Sequence, residues 1–134
     1  MSKERFIERL ADVHSSVARL ADAVSTPDSE LVRDATIQRF EFTFESVWKA
    51  LKLYLEHQGH ECGGPRQTLK TAFAENLILS EMEADVWIQM LEDRNLTTHA
   101  YDEHLAKNIY EHVVKDYAAM LAEMDRRLHD LSWD

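Results

Sequence analysis

The stretch from Ser29 to Gln58, Ser29-ELVRDATIQRFEFTFESVWKALKLYLEH-Gln58, decides the fold. Leu31, Ala35, Phe40, Phe44, Val47, Trp48, Leu51 and Leu55 recur mostly at three- and four-residue steps. That period places them on one wide face of a helix, because an α-helix turns about 100° per residue. The spacing predicts a long helix over the whole stretch, with its apolar face turned to a core. Gly59 follows as a natural stop. Residues 60–64 read as a loop, and Pro65 suits the first turn of a new helix.

Working outward, the same logic organises the rest. Before the stretch, Phe6, Leu10, Val13, Val17, Leu20 and Val24 alternate steps of four and three, a single helical stripe. Ser25, Thr26 and Pro27 break it, since proline disfavours helix in the residue before it. After the stretch, Leu69, Phe73 and Leu77 mark a short third helix. Ser80 with Glu83 three residues on is a capping-box signature for a fourth, whose inward face carries Met82, Val86 and Met90. That helix should fray between Asn95 and Thr98. Asp102 is a good N-cap for a last helix with Leu105, Ile109, Val113, Met120, Leu121, Met124, Leu128 and Leu131 on its apolar side. The expectation is an all-α fold: an up-and-down four-helix bundle with one additional short helix, one domain over residues 1–134. The long stripes on the first and last helices suit a helix-mediated homodimer.

Composition excludes several classes. Three Gly and two Pro among 134 residues are too few turn formers for a many-turned β fold. With 25 acidic and 15 basic side chains the net charge is -10, which argues against stable, extended binding of DNA or RNA. A localised basic site, or one shared between subunits, stays open. Cys62 is the single cysteine, so no intramolecular disulfide can form. The N-terminal MSKERFIERLADV has no apolar signal-peptide run, and no apolar run is long enough to span a bilayer. No membrane association and a cytoplasmic location are expected.

The segment Arg94-Asn-Leu-Thr-Thr-His99-Ala-Tyr101 gathers a fixed cation, an amide, an imidazole and a phenol at a predicted helix end. Arginine matches phosphate oxygens with its fork of donors. Histidine moves a proton near neutral pH. Cleavage of a phosphodiester by a hydroxyl needs both functions, a base and a cation for the developing charge. On one unbroken helix, residues five apart diverge by about 140°. Arg94 and His99 can therefore converge only across a helix break or between two chains. Taken alone, such a pair is also a common electrostatic cap of a helix C-terminus.

This segment resembles the Arg-x4-His-x-Tyr motif of HEPN toxins. The flanks are similar as well. The run Phe40-Glu-Phe-Thr-Phe-Glu45-Ser-Val-Trp48-Lys49-Ala-Leu-Lys52-Leu-Tyr54-Leu55, then Pro65-Arg66 and Leu91-Glu-Asp-Arg94, resemble the nucleotidyltransferase substrate-binding family of the HEPN superfamily. The likeness covers about residues 5 to 130. It implies a helical bundle that dimerises so that two motifs share a cleft, and metal-independent ribonuclease activity with RNA as transient substrate. It further implies a minimal nucleotidyltransferase partner, an antitoxin that neutralises the toxin by attaching AMP to the motif tyrosine, here Tyr101. The alternative it carries is a non-catalytic substrate-binding subunit of a two-component nucleotidyltransferase. Within the first reading Arg94, Asn95 and His99 are catalytic, and Tyr101 positions RNA and accepts the modification. No cofactor and no metal are called for.

Other candidates weigh less. Glu41, Glu45 and Lys49 lie four apart on one strip, which a solvated face explains, although Glu41 or Glu45 could orient Arg94 from the neighbouring helix. His57, His60 and Cys62 flank a Gly-rich loop but lack the further ligand that zinc ordinarily takes. Trp48, Trp87, Phe40, Phe44 and Tyr54 at helical spacing read as core rather than base-stacking platforms. His104 and His112 follow the motif without a partner that compels a role.

Overall fold

The structure is a computed structural model describing residues 3–134. The described residues form α1 (Lys3–Val24), α2 (Glu30–His57), α3 (Pro65–Ala74), α4 (Glu81–Leu96), α5 (Glu103–His112) and α6 (Ala118–His129), with no strand among them. A π-helical turn, Val113–Tyr117, joins α5 to α6 into one rod, so four long rods and the short α3 make the all-α architecture expected. No described helix is long and apolar enough to cross a membrane.

Local chemistry sets the boundaries. Ser29 caps α2 by accepting from the Val32 N–H at 3.1 Å. Gly59 ends it at φ +97°, a backbone conformation that β-carbon sterics deny most residues. Pro65 opens α3. Ser80 caps α4 through the Glu83 N–H at 3.1 Å, but the Glu83 carboxylate reaches back to the N–H of Leu79 instead of closing on Ser80. Its other charge partner explains the difference. Arg127 of α6 grips both Glu83 oxygens, at 2.8 and 3.1 Å, and pulls the side chain toward the bundle.

The core gathers Val13 and Leu20 of α1, Phe40, Phe44, Leu51 and Leu55 of α2, Leu69 of α3, Trp87 and Met90 of α4, and Ile109, Leu121, Met124 and Leu128 of the last rod. Trp48, Trp87, Phe40 and Phe44 are buried as packing residues. Leu31 and Met82 depart from the expected inward faces, at 79% and 78% exposed. Each is the second residue of its helix. Phe73, the last residue but one of α3, is partly exposed as well.

Polar groups fasten the seams. Thr43 and Arg39 of α2 donate to the carbonyls of Ser16 and Arg19 on α1, at 3.2 and 2.8 Å. Between α1 and α6, the buried Asp125 carboxylate lies 2.9 Å from His14 Nδ1 and 3.1 Å from His129 Nδ1. His14 is the hydrogen-bond partner of the buried carboxylate, while His129 Nδ1 bonds the Asp125 backbone carbonyl at 2.9 Å.

Candidate active site at the end of helix α4

The last turn of α4 is held from both sides. On one side the Arg94 guanidinium pairs with Glu45 of α2. The same carboxylate accepts the Trp48 indole N–H at 3.1 Å and meets Lys49 Nζ at 3.7 Å. Arg94 also donates to the Asn95 side-chain oxygen at 3.0 Å. Of the two acids on the α2 strip, Glu45 is the one that contacts Arg94, and Asn95 contacts it from the same helix. Glu41 does not touch Arg94. It lines a cleft of about 440 Å³ with Asp34, Gln38 and Tyr101.

The helix breaks where the sequence predicts. Thr97 turns its hydroxyl back onto the Arg94 carbonyl at 2.7 Å, and the chain tightens into a 3₁₀ turn over Thr97–His99. A hydroxyl satisfying a terminal carbonyl removes the need for the next α-helical N–H. Asp102 then caps α5, its carboxylate accepting from His104 at 3.0 Å and Leu105 at 3.2 Å. Between the two caps, His99 and Tyr101 are presented to solvent, Tyr101 at 84% exposure. Their rings meet edge-on, 6.1 Å between centroids. Among the described residues no hydrogen bond or ion pair joins Arg94 to His99. The break frees the imidazole from α4, and one chain does not bring it into contact with the guanidinium.

The other side of the turn was not legible. Asp93, buried one residue before Arg94, accepts the Tyr117 hydroxyl at 2.5 Å and lies 2.7 Å from His112 Nδ1. Burial, then the hydrogen bond to the Asp93 carboxylate, push the Tyr117 hydroxyl far above the usual tyrosine range. Tyr117 lies in the π turn, which places its ring on Phe40 at 5.3 Å. A signal for that turn existed. Leu105, Ile109, Val113, Tyr117 and Leu121 follow one another in steps of four with no step of three. Each such step over-rotates an α-helical stripe by about 40°, and one wider turn resets it. His112 thereby acquires the partner that the sequence alone did not show. His104 stays exposed.

The remaining candidates are dispersed. His57 stacks on Trp133 at 3.9 Å, His60 pairs with Glu75 at 3.2 Å, and Cys62 is buried with its thiol pushed up by desolvation. Among the described residues no group of three or more His, Cys, Asp and Glu is arranged to hold a metal ion.

Comparison with known proteins places this geometry. A Thermus thermophilus protein of known crystal structure is 39% identical, with a TM-score of 0.80 over 87% of this chain and 98% of that one. A tri-AMPylated Shewanella oneidensis HEPN toxin, solved in complex with its MNT antitoxin, is 18% identical and superposes with a TM-score of 0.76 over 98% of this chain and 100% of that one. The second likeness establishes a HEPN-like helical fold. No curated protein matches the sequence. Residues 8–130, which span α1 to α6 and include the whole Arg94–Tyr101 segment, match one family throughout, and the chain belongs to it: the nucleotidyltransferase substrate binding protein like family.

Proposed function

We propose that this protein is a HEPN toxin, a metal-independent endoribonuclease restrained by a cognate minimal nucleotidyltransferase that attaches AMP to Tyr101. The observation that carries the reading is the end of α4: a guanidinium braced by Glu45 and Asn95, followed by a helix break that frees an imidazole and a phenol. Arg94 stabilises the pentacovalent phosphate as charge develops on it. His99 takes the proton of the RNA 2′-hydroxyl, which attacks the adjacent phosphorus and expels the 5′-oxygen of the next nucleotide. The departing 5′-oxygen takes a proton from water and His99 returns its own to solvent, so the products are a 2′,3′-cyclic phosphate and a 5′-hydroxyl. The nucleophile belongs to the substrate, so the chemistry calls for no metal to activate water. A homodimer that faces two α4 ends across one cleft supplies the Arg94–His99 proximity that a single chain lacks. AMP on the exposed Tyr101 places a phosphate near Arg94 and mimics the scissile group.

A second reading is a non-catalytic substrate-binding subunit of a two-component nucleotidyltransferase. It draws on His99 itself: no carboxylate orients it among the described residues, whereas His14, His60, His112 and His129 each have one. Expression without the partner separates the two. The toxin reading expects arrested growth and RNA cut to 5′-hydroxyl ends, both lost in His99→Ala. Normal growth and intact RNA on wild-type expression would leave the binding subunit as the better account.

A further inference from the structure

Beside the Arg94 pair, a cleft of about 300 Å³ runs between α1 and α2, past Glu45. Its walls bear two cations, Arg9 and Lys49, each beside a carboxylate, Asp12 and Glu45, the hydroxyls of Ser15, Ser16 and Ser46, and one aromatic ring, Phe42. Phe42 is 59% exposed on a helix whose other two phenylalanines are fully buried. It stands one turn, about 4.5 Å along the axis, before Glu45. An exposed ring set among charges and hydroxyls is poor material for a protein interface, whose buried centre is depleted of charge. It suits a nucleobase, which offers one flat face to a ring and a polar edge to hydroxyls. The clefts on the Tyr101 side suit a phosphate backbone less, because four carboxylates, Glu30, Asp34, Glu41 and Glu103, line them against one cation, Arg33, whereas cations and carboxylates balance in the α1–α2 cleft.

We propose that the α1–α2 cleft is a single-stranded RNA subsite, in which Phe42 stacks on the base flanking the phosphate held at Arg94. Lys49 meets the neighbouring phosphate, exchanging its 3.7 Å contact with Glu45 for it, while Arg94 keeps Glu45 paired. Arg9, held only loosely by Asp12 at 3.9 Å, extends the track along α1. RNA would thus cross an acidic protein along a strip two cations wide. The subsite rests on the ribonuclease reading.

The test uses the full chain and a fluorescent single-stranded oligoribonucleotide, 2′-O-methylated so that it binds without being cut. Phe42→Ala should weaken binding about tenfold and Phe42→Trp should restore it, since stacking on a ring is worth that much per base. Lys49→Ala should lower the salt slope of log Kd by about 0.7, the contribution of one phosphate contact on a single strand. Circular dichroism and sedimentation accompany each variant. Equal affinity for wild type, Phe42→Ala and Phe42→Trp overturns the subsite while leaving the ribonuclease reading standing. A dimer that falls to monomer in Phe42→Ala with RNA affinity unchanged also overturns it, and makes Phe42 a subunit contact. Wild-type protein that neither binds this RNA nor cuts its unmethylated counterpart overturns the ribonuclease reading and the subsite with it.

Discussion

Replacing Asp93 by alanine strands a buried phenol. Tyr117 is fully buried, and its hydroxyl donates at 2.5 Å to the carboxylate being removed. A buried donor without acceptor costs about 1–3 kcal/mol, and the lost bond to a charged acceptor has a similar worth. His112, partly exposed, can turn to water and contributes little to the loss. Asp93→Ala should therefore cost about 3 kcal/mol. Tyr117→Phe removes the hydroxyl and keeps the ring on Phe40, so it should cost about 1.5 kcal/mol. In the double variant no hydroxyl is left to strand. It should lose about 3 kcal/mol rather than the additive 4.5, a coupling of about 1.5 kcal/mol. For 134 residues the unfolding entropy is roughly 0.28 kcal/mol/K, so Asp93→Ala should melt about 11 °C lower. Urea unfolding at pH 7, followed by circular dichroism, measures all four corners of the cycle. Costs that add to within 0.5 kcal/mol, a threshold of about the usual additivity error, would refute the argument that the hydroxyl and the carboxylate are one unit. A second arm uses pH. The Tyr117 hydroxyl is raised in the fold above its ordinary value of 10.0. Its contribution is complete below that value and is lost as pH climbs beyond it, because the unfolded chain ionises first. Wild type should lose stability above pH 10 more steeply than Tyr117→Phe, by up to about 1.4 kcal/mol per pH unit.

Three further outcomes are expected. Arg127 holds the Glu83 carboxyl below its ordinary 4.5, so that pair stabilises at neutral pH and lets go as pH falls through the lowered value; Glu83→Gln should cost about 1 kcal/mol at pH 7 and blunt the acid loss, and an unchanged acid limb in urea titrations would contradict this. Arg94→Ala and His99→Ala should each abolish growth arrest with helicity retained, and Glu45→Gln should reduce it less than Arg94→Ala, because it loosens the guanidinium without removing it; a fully toxic His99→Ala rules out His99 as the base. Co-expression with a cognate nucleotidyltransferase, ATP and Mg²⁺ should add one or more AMP units mapping to Tyr101, absent in Tyr101→Phe; mass spectra of a neutralised complex with unmodified Tyr101 would point to inhibition by binding alone.

The sequence by itself determined the elements and their ends. Apolar periodicity is a local property of the chain, and so are the caps at Ser80 and Asp102, the stop at Gly59 and the helix start at Pro65; each acts within four residues, and the structure realises them where the spacing puts them. The break after Arg94 was legible for the same reason, as was the core role of Phe40, Phe44, Trp48 and Trp87. Tertiary structure alone decided which of two spaced acids meets Arg94. Glu41 and Glu45 share a strip, and only the placement of α4 against α2 selects Glu45. It alone joined Asp93 to His112 and Tyr117, 19 and 24 residues away in sequence, through a π turn that rotates the last rod. It also left Leu31 and Met82 outside the core despite their apolar character, because burial depends on what packs against a residue and not on its own side chain alone. Local pattern fixes how a segment coils; which side chain meets which across two helices depends on their relative rotation and height, and packing of the whole bundle sets both.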